Sequence, residues 1–273
     1  MENPGKTSAE VKDLGPSRES FVLAGVAIHN LSFAETVGRM REFLLRGGRG
    51  YVVTPNASHI CMLQEDRELR EIYENASFVL ADGMSIVFAS RLLGSPLPER
   101  CSGADLFTSL CEALAPLKMG VFLLGGQGGA EKIAESKLRR QYPGLAVHSY
   151  SPPFGFENDP GETAGIVDLV NRSGAQVLFL FVGTPKSERW IYRNFAGLHV
   201  QLALSLGQAL SFYTGSHRRA PRWMQRVGLE WFYRLCQEPG RLWKRYLIGN
   251  TRFLFLVAKQ FFKRGEACES KSR

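Results

Sequence analysis

Cysteine is sparse and unpatterned in this chain. Cys61, Cys101, Cys111, Cys236 and Cys268 fall without CxxC or CxH spacing, which excludes a zinc-finger ligand set and offers no disulfide framework. They read as buried or idle thiols. Histidine is no richer in pattern: His29, His59, His148, His199 and His217 show no ligand spacing, so no metal site is expected and these side chains read as structural or incidental. No Asp-x-Asp pair occurs anywhere, which removes the usual carboxylate pair for holding a divalent ion on a nucleotide diphosphate. Long apolar runs are missing too. In the basic C-terminal part the longest, Phe253 to Ala258, is far short of the ~20 residues a membrane-spanning helix needs. The first twenty residues mix acids, bases, Pro and Gly with no apolar stretch, so they read as a mobile leader and not a secretion signal, and the chain is expected in the cytoplasm.

What is present is a hydrophobic fraction of 44% over 273 residues, enough for a large α/β core with an appendage. The net charge of +8 is unevenly spread: His217 to Arg264 holds twelve Lys or Arg against Glu230 and Glu238, leaving the remainder slightly acidic. The same segment holds Trp223, Trp231, Trp243, Phe232, Phe253, Phe255, Phe261 and Phe262. Large apolar residues recurring beside cations at helical spacing suit an interfacial helix on an anionic membrane surface better than a nucleic-acid footprint, so no nucleic acid is expected as a partner. Pro239 interrupts the segment that carries Arg234, Arg241 and Lys244. Proline can begin a helix but disrupts its middle, so two short helices are expected there.

Short apolar runs alternate with helical patterns along the rest. Phe21–Ile28 reads as β, and Ser32-Phe33-Ala34-Glu35 as a capping box for a helix to about Arg46. Strands follow at Tyr51–Thr54, Phe78–Leu80, Val121–Leu124 and Val177–Val182. Between them lie helical stretches at Ser58–Asn75, Met84–Leu93, Gly103–Ala115, Ala130–Tyr142 and Glu162–Ser173. Continuous apolar strands separated by helices predict an α/β fold, a mostly parallel, Rossmann-like sheet with helices on both faces, plus a basic amphipathic helical C-terminal appendage. Ligands bind such sheets at the carboxyl ends of the strands. Four strand ends carry unusual chemistry: Thr54-Pro55-Asn56, Ala81-Asp82-Gly83, Gly125-Gly126 and Gly183-Thr184-Pro185-Lys186.

Each candidate has a plain reading beside the functional one. LLGGQGGAE lets backbone N–H groups approach a phosphate, yet it fits neither G-x-G-x-x-G nor a P-loop, and a plain strand-to-helix turn explains it equally. Asp82 reads either as a helix N-cap or as a cleft carboxylate. Arg100 is a loop arginine able to grip a diphosphate or simply to sit in solvent. Asp105 reads as a first-turn helix acid.

Together VVTPNASH, VLADGMSIVFASRLLGSPLPERCSGADLF, VFLLGG, GTPKSERWI and RRAPRWMQRVGLEWFYRLCQEPGRLWKRY resemble the WecG/TagA/CpsF family of glycosyltransferases, from about Val22 to Leu256. The resemblance implies an inverting, metal-independent transfer of N-acetylmannosamine or a related hexose from a UDP-sugar to a polyprenyl-diphosphate-linked glycan, with no cofactor. It implies a protein peripheral on the inner face of the membrane, and leaves room for a homo-oligomer. Asp82 matches the family's general base. Thr54, Asn56 and Arg100 match pocket residues, and Gly125, Gly126, Gly183, Pro185, Lys186, Ser187 and Glu188 complete the expected substrate site, with Arg234, Arg241 and Lys244 reaching a diphosphate or the membrane. Two positions depart from the family: Ser187 stands where Gln is usual, and Ser211 where Asp is usual, which leaves a non-catalytic nucleotide-sugar or lipid-carrier binding protein as the alternative. The implied organisation is a leader (1–20), a glycosyltransferase domain (21–216), a closing appendage (217–264) and a tail (265–273).

Overall fold

A computed structural model describes residues 20–269, so most of the leader and the end of the tail lie outside the described residues. The chain begins with a hairpin of β1 (Phe21–Leu23) and β2 (Val26–Ile28), turned at Ala24-Gly25, both at positive φ. Helix α1 (Phe33–Leu45) starts on the expected capping box: the Ser32 hydroxyl accepts from the Glu35 N–H, and the Glu35 carboxylate accepts from the Ser32 N–H at 2.9 Å. Then come β3 (Gly50–Val53), α2 (Ala57–Met62), α3 (Arg67–Glu74), β4 (Phe78–Val79), α4 (Met84–Leu92), α5 (Gly103–Leu114), β5 (Gly120–Gly125), α6 (Ala130–Gln141) and β6 (Ala146–Tyr150). The α/β part closes with α7 (Pro160–Arg172), β7 (Val177–Phe181), α8 (Lys186–Asn194), β8 (Leu202–Ser205) and α9 (Ala209–Thr214).

The six strands β3 to β8 form one parallel sheet in the order β4-β3-β8-β7-β5-β6. Its two faces bury separate apolar clusters, one including Ile60, Ile72, Leu178 and Trp190, the other Phe107, Leu110, Phe179 and Leu204. The alternation of apolar strands with helices therefore does what it predicted: a sheet covered on both faces leaves no side for polar residues along its central strands. Two strands escape the sequence reading, β6, which carries polar residues on an edge, and the four-residue β8. The stretch read as one helix over Ser58–Asn75 is two. The chain turns after Met62, and Asp66 starts α3 by accepting the Leu69 N–H at 2.9 Å.

The appendage comprises α10 (Arg222–Arg226), α11 (Glu230–Gln237) and α12 (Pro239–Glu269). The break falls at Pro239 as expected, with the proline opening a helix. The second helix is not short, however: α12 runs 31 residues, because it has a surface to lie on. Leu242, Phe253 and Val257 are buried. The Cys61 thiol reaches the Gly249 carbonyl at 3.5 Å, and Gln260 bridges the backbone of Val22 and Ala24 at 2.8 Å each. Helix α12 is thus strapped across α2 and the β1–β2 hairpin.

Candidate active site

A cavity of about 760 Å³ opens at the carboxyl ends of β3, β4, β7 and β8, roofed by the appendage. Asp82 lies in its wall. Its backbone N–H is tied to the Pro55 carbonyl at 2.8 Å, so the β4 and β3 ends hold one another. The N-cap of α4 is Gly83, at φ 142, a backbone conformation that favours glycine, and the cap has no side-chain hydrogen bond. The N-cap reading of Asp82 therefore falls away, and its carboxylate faces the cavity. Burial pushes that carboxyl up to about 6, with Glu230 adding to the rise and Arg100, Arg234 and Arg219 opposing it.

The cations come from both halves of the molecule. Arg100 follows α4 and binds Glu230 of α11 at 2.5 Å and the Gln225 amide oxygen at 2.5 Å. Arg219, between α9 and α10, binds Asp105 at 2.5 Å and lies 3.6 Å from Glu230. Asp105 is the first-turn acid of α5. Burial alone would raise its carboxyl, yet hydrogen bonds from Arg219 and Ser102 and the nearby guanidinium charge hold it below the usual range. Arg234 of α11 donates to Gln208 and lies over the Phe212 ring at 5.9 Å. These pairs stitch the appendage to the sheet edge across the cavity mouth. Arg219 and Glu230 were missed in the sequence because nothing in their local pattern separates them from other charges of a basic segment.

Thr54 and Asn56 line the same cavity. The Asn56 side-chain oxygen caps α2 by accepting from the Ser58 and His59 N–H groups, at 3.0 and 3.3 Å, and its amide nitrogen meets His59 Nε2 at 3.3 Å. His59 is buried, lines the cavity, and contacts the Tyr73 hydroxyl through Nδ1 at 3.1 Å. It thus has a place in the site that spacing did not suggest. Gly183 lines the cavity ahead of a cis Thr184–Pro185 peptide bond. Pro185 caps α8, and Ser187 and Glu188 in its first turn are buried behind the cavity wall. Thr184 donates to Glu188 at 2.7 Å, and Ser187 meets Ser205 at 2.6 Å. Thr184 and Ser205 line the cavity, so Ser187 and Glu188 support the wall from behind.

Several candidates stand apart from the cavity wall. Lys186 pairs with Glu157 and lies 5.0 Å over the Phe154 ring. Gly125 and Gly126 end β5, one strand beyond β7: a Cβ on Gly125 would come within 3.1 Å of the Phe181 carbonyl, and one on Gly126 within 2.8 Å of Leu210. Close packing accounts for both glycines. Lys244 lies over the Trp243 ring at 5.5 Å, outside the cavity lining, and Arg241 lies on α12. Ser211 sits in α9, where its carbonyl accepts from His217 at 3.2 Å.

A parallel sheet whose carboxyl edge sets the desolvated Asp82 carboxylate among three arginines, two of them paired with Glu230 and Asp105, is equipped for acid–base chemistry beside an anion. Residues 21–267 match the glycosyl transferase WecG/TagA/CpsF family, and the chain belongs to that family. It is similar to an N-acetylglucosaminyldiphosphoundecaprenol N-acetyl-beta-D-mannosaminyltransferase of Bacillus subtilis (strain 168), with 32% identity over 197 residues, covering 72% of this chain and 74% of that one. A relative of the same description from Bacillus spizizenii (strain ATCC 23059 / NRRL B-14472 / W23) is 32% identical over 228 residues, covering 81% of this chain and 86% of the relative. The chain is a glycosyltransferase.

Proposed function

We propose that this enzyme transfers N-acetylmannosamine, or a closely related hexose, from a UDP-sugar to a glycan carried on a polyprenyl diphosphate, with inversion at the anomeric carbon and without a metal ion. The observation that carries the reading is the carboxylate of Asp82, held in the cavity wall with its carboxyl near 6 and within the field of Arg100, Arg219 and Arg234. The acceptor hydroxyl oxygen attacks C1 of the donor sugar opposite the diphosphate. Its proton passes to Asp82, the bond from C1 to the β-phosphate oxygen breaks, and UDP leaves with the electron pair. A carboxyl near 6 is ionised at neutral pH yet more basic than an exposed aspartate, which suits a base. The arginines supply the positive charge that stabilises the leaving diphosphate, the role a divalent cation on an Asp-x-Asp pair plays elsewhere.

The placement of the appendage supports a membrane-bound acceptor. No helix among the described residues is long and apolar enough to cross a membrane. Trp223, Phe232, Trp243, Phe255 and Phe262 are exposed on α10 to α12 beside the cations of the same segment. Such a surface adsorbs to anionic lipid while its polar groups stay in water, which supports a peripheral enzyme; its working on the inner face is part of the same proposal. The reading is tested by UDP release from a panel of UDP-sugars, with a short-chain GlcNAc-diphospholipid as acceptor. Release that depends on both the UDP-sugar and the acceptor is the expected result. Release of UDP by none of the donors refutes the assignment and favours a binding protein.

A further inference from the structure

The cavity has an apolar half that catalysis at Asp82 does not use. Met84, Phe88 and Leu92 recur every four residues, so they form one stripe along α4 starting two residues after Asp82. At ~1.5 Å per residue that stripe extends about 12 Å from the site. Leu247 and Leu254 of α12, seven residues apart and so on one helix face, line the same cavity with Thr251 between them. Four of these side chains are large, apolar and open to solvent although they line a cavity: Phe88 is 43% exposed, Leu92 58%, Leu247 57% and Leu254 65%. Gly228, at φ +78, brings the α10–α11 turn against Phe88. A Cβ there would come within 3.0 Å of the ring, so the roof of the trough is held by backbone contact.

We infer that this trough between α4 and α12 is a binding groove for the first isoprene units of a polyprenyl diphosphate, with the diphosphate on the arginine side and the chain leading outward along Phe88, Leu92, Leu247 and Leu254. The inference rests on the proposed lipid-linked acceptor and specifies how the protein reads its lipid. Charge decides the polarity of the groove: Arg100, Arg219 and Arg234 gather around Asp82 at its inner end, Arg100 paired with Glu230 and Arg219 with Asp105, while the only charged residue between Met84 and Leu92 is Arg91 and the only one between Leu247 and Leu254 is Arg252, both outside the cavity lining. An amphiphile with a compact anionic head and an apolar tail matches that gradient. Side chains that served only to enter a bilayer would not need to line the cavity, and Ile248 and Phe255, also exposed, do not line it.

The test is binding in solution without vesicles. Inorganic diphosphate and dimethylallyl, geranyl and farnesyl diphosphates are titrated calorimetrically into the full-length protein. Affinity should rise by roughly tenfold or more from the five-carbon to the fifteen-carbon compound. Leu92→Ser combined with Leu254→Ser should abolish that rise while leaving inorganic diphosphate unchanged. Both residues are largely exposed, so the variant should keep its melting temperature. Ile248→Ser with Phe255→Ser should keep the rise. Equal affinities along the series, a rise that survives the groove variant, or a groove variant that also loses inorganic diphosphate would overturn the inference. The sugar-transfer assay separates this outcome from the reaction assignment: transfer without a chain-length effect removes only the groove, and a chain-length effect without transfer removes only the reaction.

Discussion

Replacing Asp82 by asparagine should make the protein a worse enzyme and a more stable one. Burial lifts the Asp82 carboxyl from 3.8 to about 6. The folded protein therefore holds this proton more tightly than the unfolded chain does, and stability from this group is present below about pH 4 and is lost as pH rises to 6. Above 6 the folded state carries an ionised, desolvated carboxylate at a cost of about 3 kcal/mol, from roughly two pKa units at 1.36 kcal/mol each. Asparagine cannot ionise, so Asp82→Asn should regain up to about 3 kcal/mol at pH 7.5, a rise of several degrees in Tm for a domain of this size. Turnover should fall ~10²- to 10⁴-fold, the usual contribution of a positioned base. Thermal melts of both proteins at pH 7.5 and pH 4.5, beside UDP release at pH 7.5, check the two effects together, and the Tm gain should shrink at the lower pH. Near-normal turnover would remove Asp82 from the chemistry. A Tm difference independent of pH would show that its carboxylate is not desolvated.

Other consequences follow from the same geometry. The rate should fall on the acid side with a midpoint near 6, and Glu230→Gln should move that midpoint lower, since Glu230 helps raise the Asp82 carboxyl; a pH–rate profile of each protein decides it. Transfer should survive EDTA without loss, and abolition by EDTA with restoration by Mg²⁺ or Mn²⁺ would replace the arginines as the account of the leaving group. Truncation before His217 should abolish turnover even with a soluble acceptor analogue, because Arg219 and Arg234 are lost with the appendage. Full turnover with lost vesicle binding would make α10 to α12 an anchor only. Asn56→Ala should destabilise the fold by ~1 kcal/mol, read as a lower Tm, because the α2 cap is lost.

Local chemistry made much of this protein legible in its sequence. The capping box at Ser32, the helix start at Pro239 and the apolar strands that demand cover on both faces depend on residues within a few positions of each other, or on which residues are apolar, and they needed no partner from afar. The chemistry at the ends of β3, β4 and β7 was legible for the same reason, since parallel strands share one carboxyl edge. Which strand ends meet was decided by the order of the sheet. Because β8 inserts between β3 and β7, the cavity forms over β4, β3, β8 and β7 and leaves Gly125 and Gly126 outside its lining, packed against Phe181 and Leu210. The turn into α8 likewise directs Lys186 to Glu157. Tertiary packing alone placed Arg219 and Glu230 in the site, because charges more than a hundred residues apart, Arg100 with Glu230 and Asp105 with Arg219, become partners only when the appendage folds back over the sheet edge, and α12 ties it down by crossing α2 and the first hairpin.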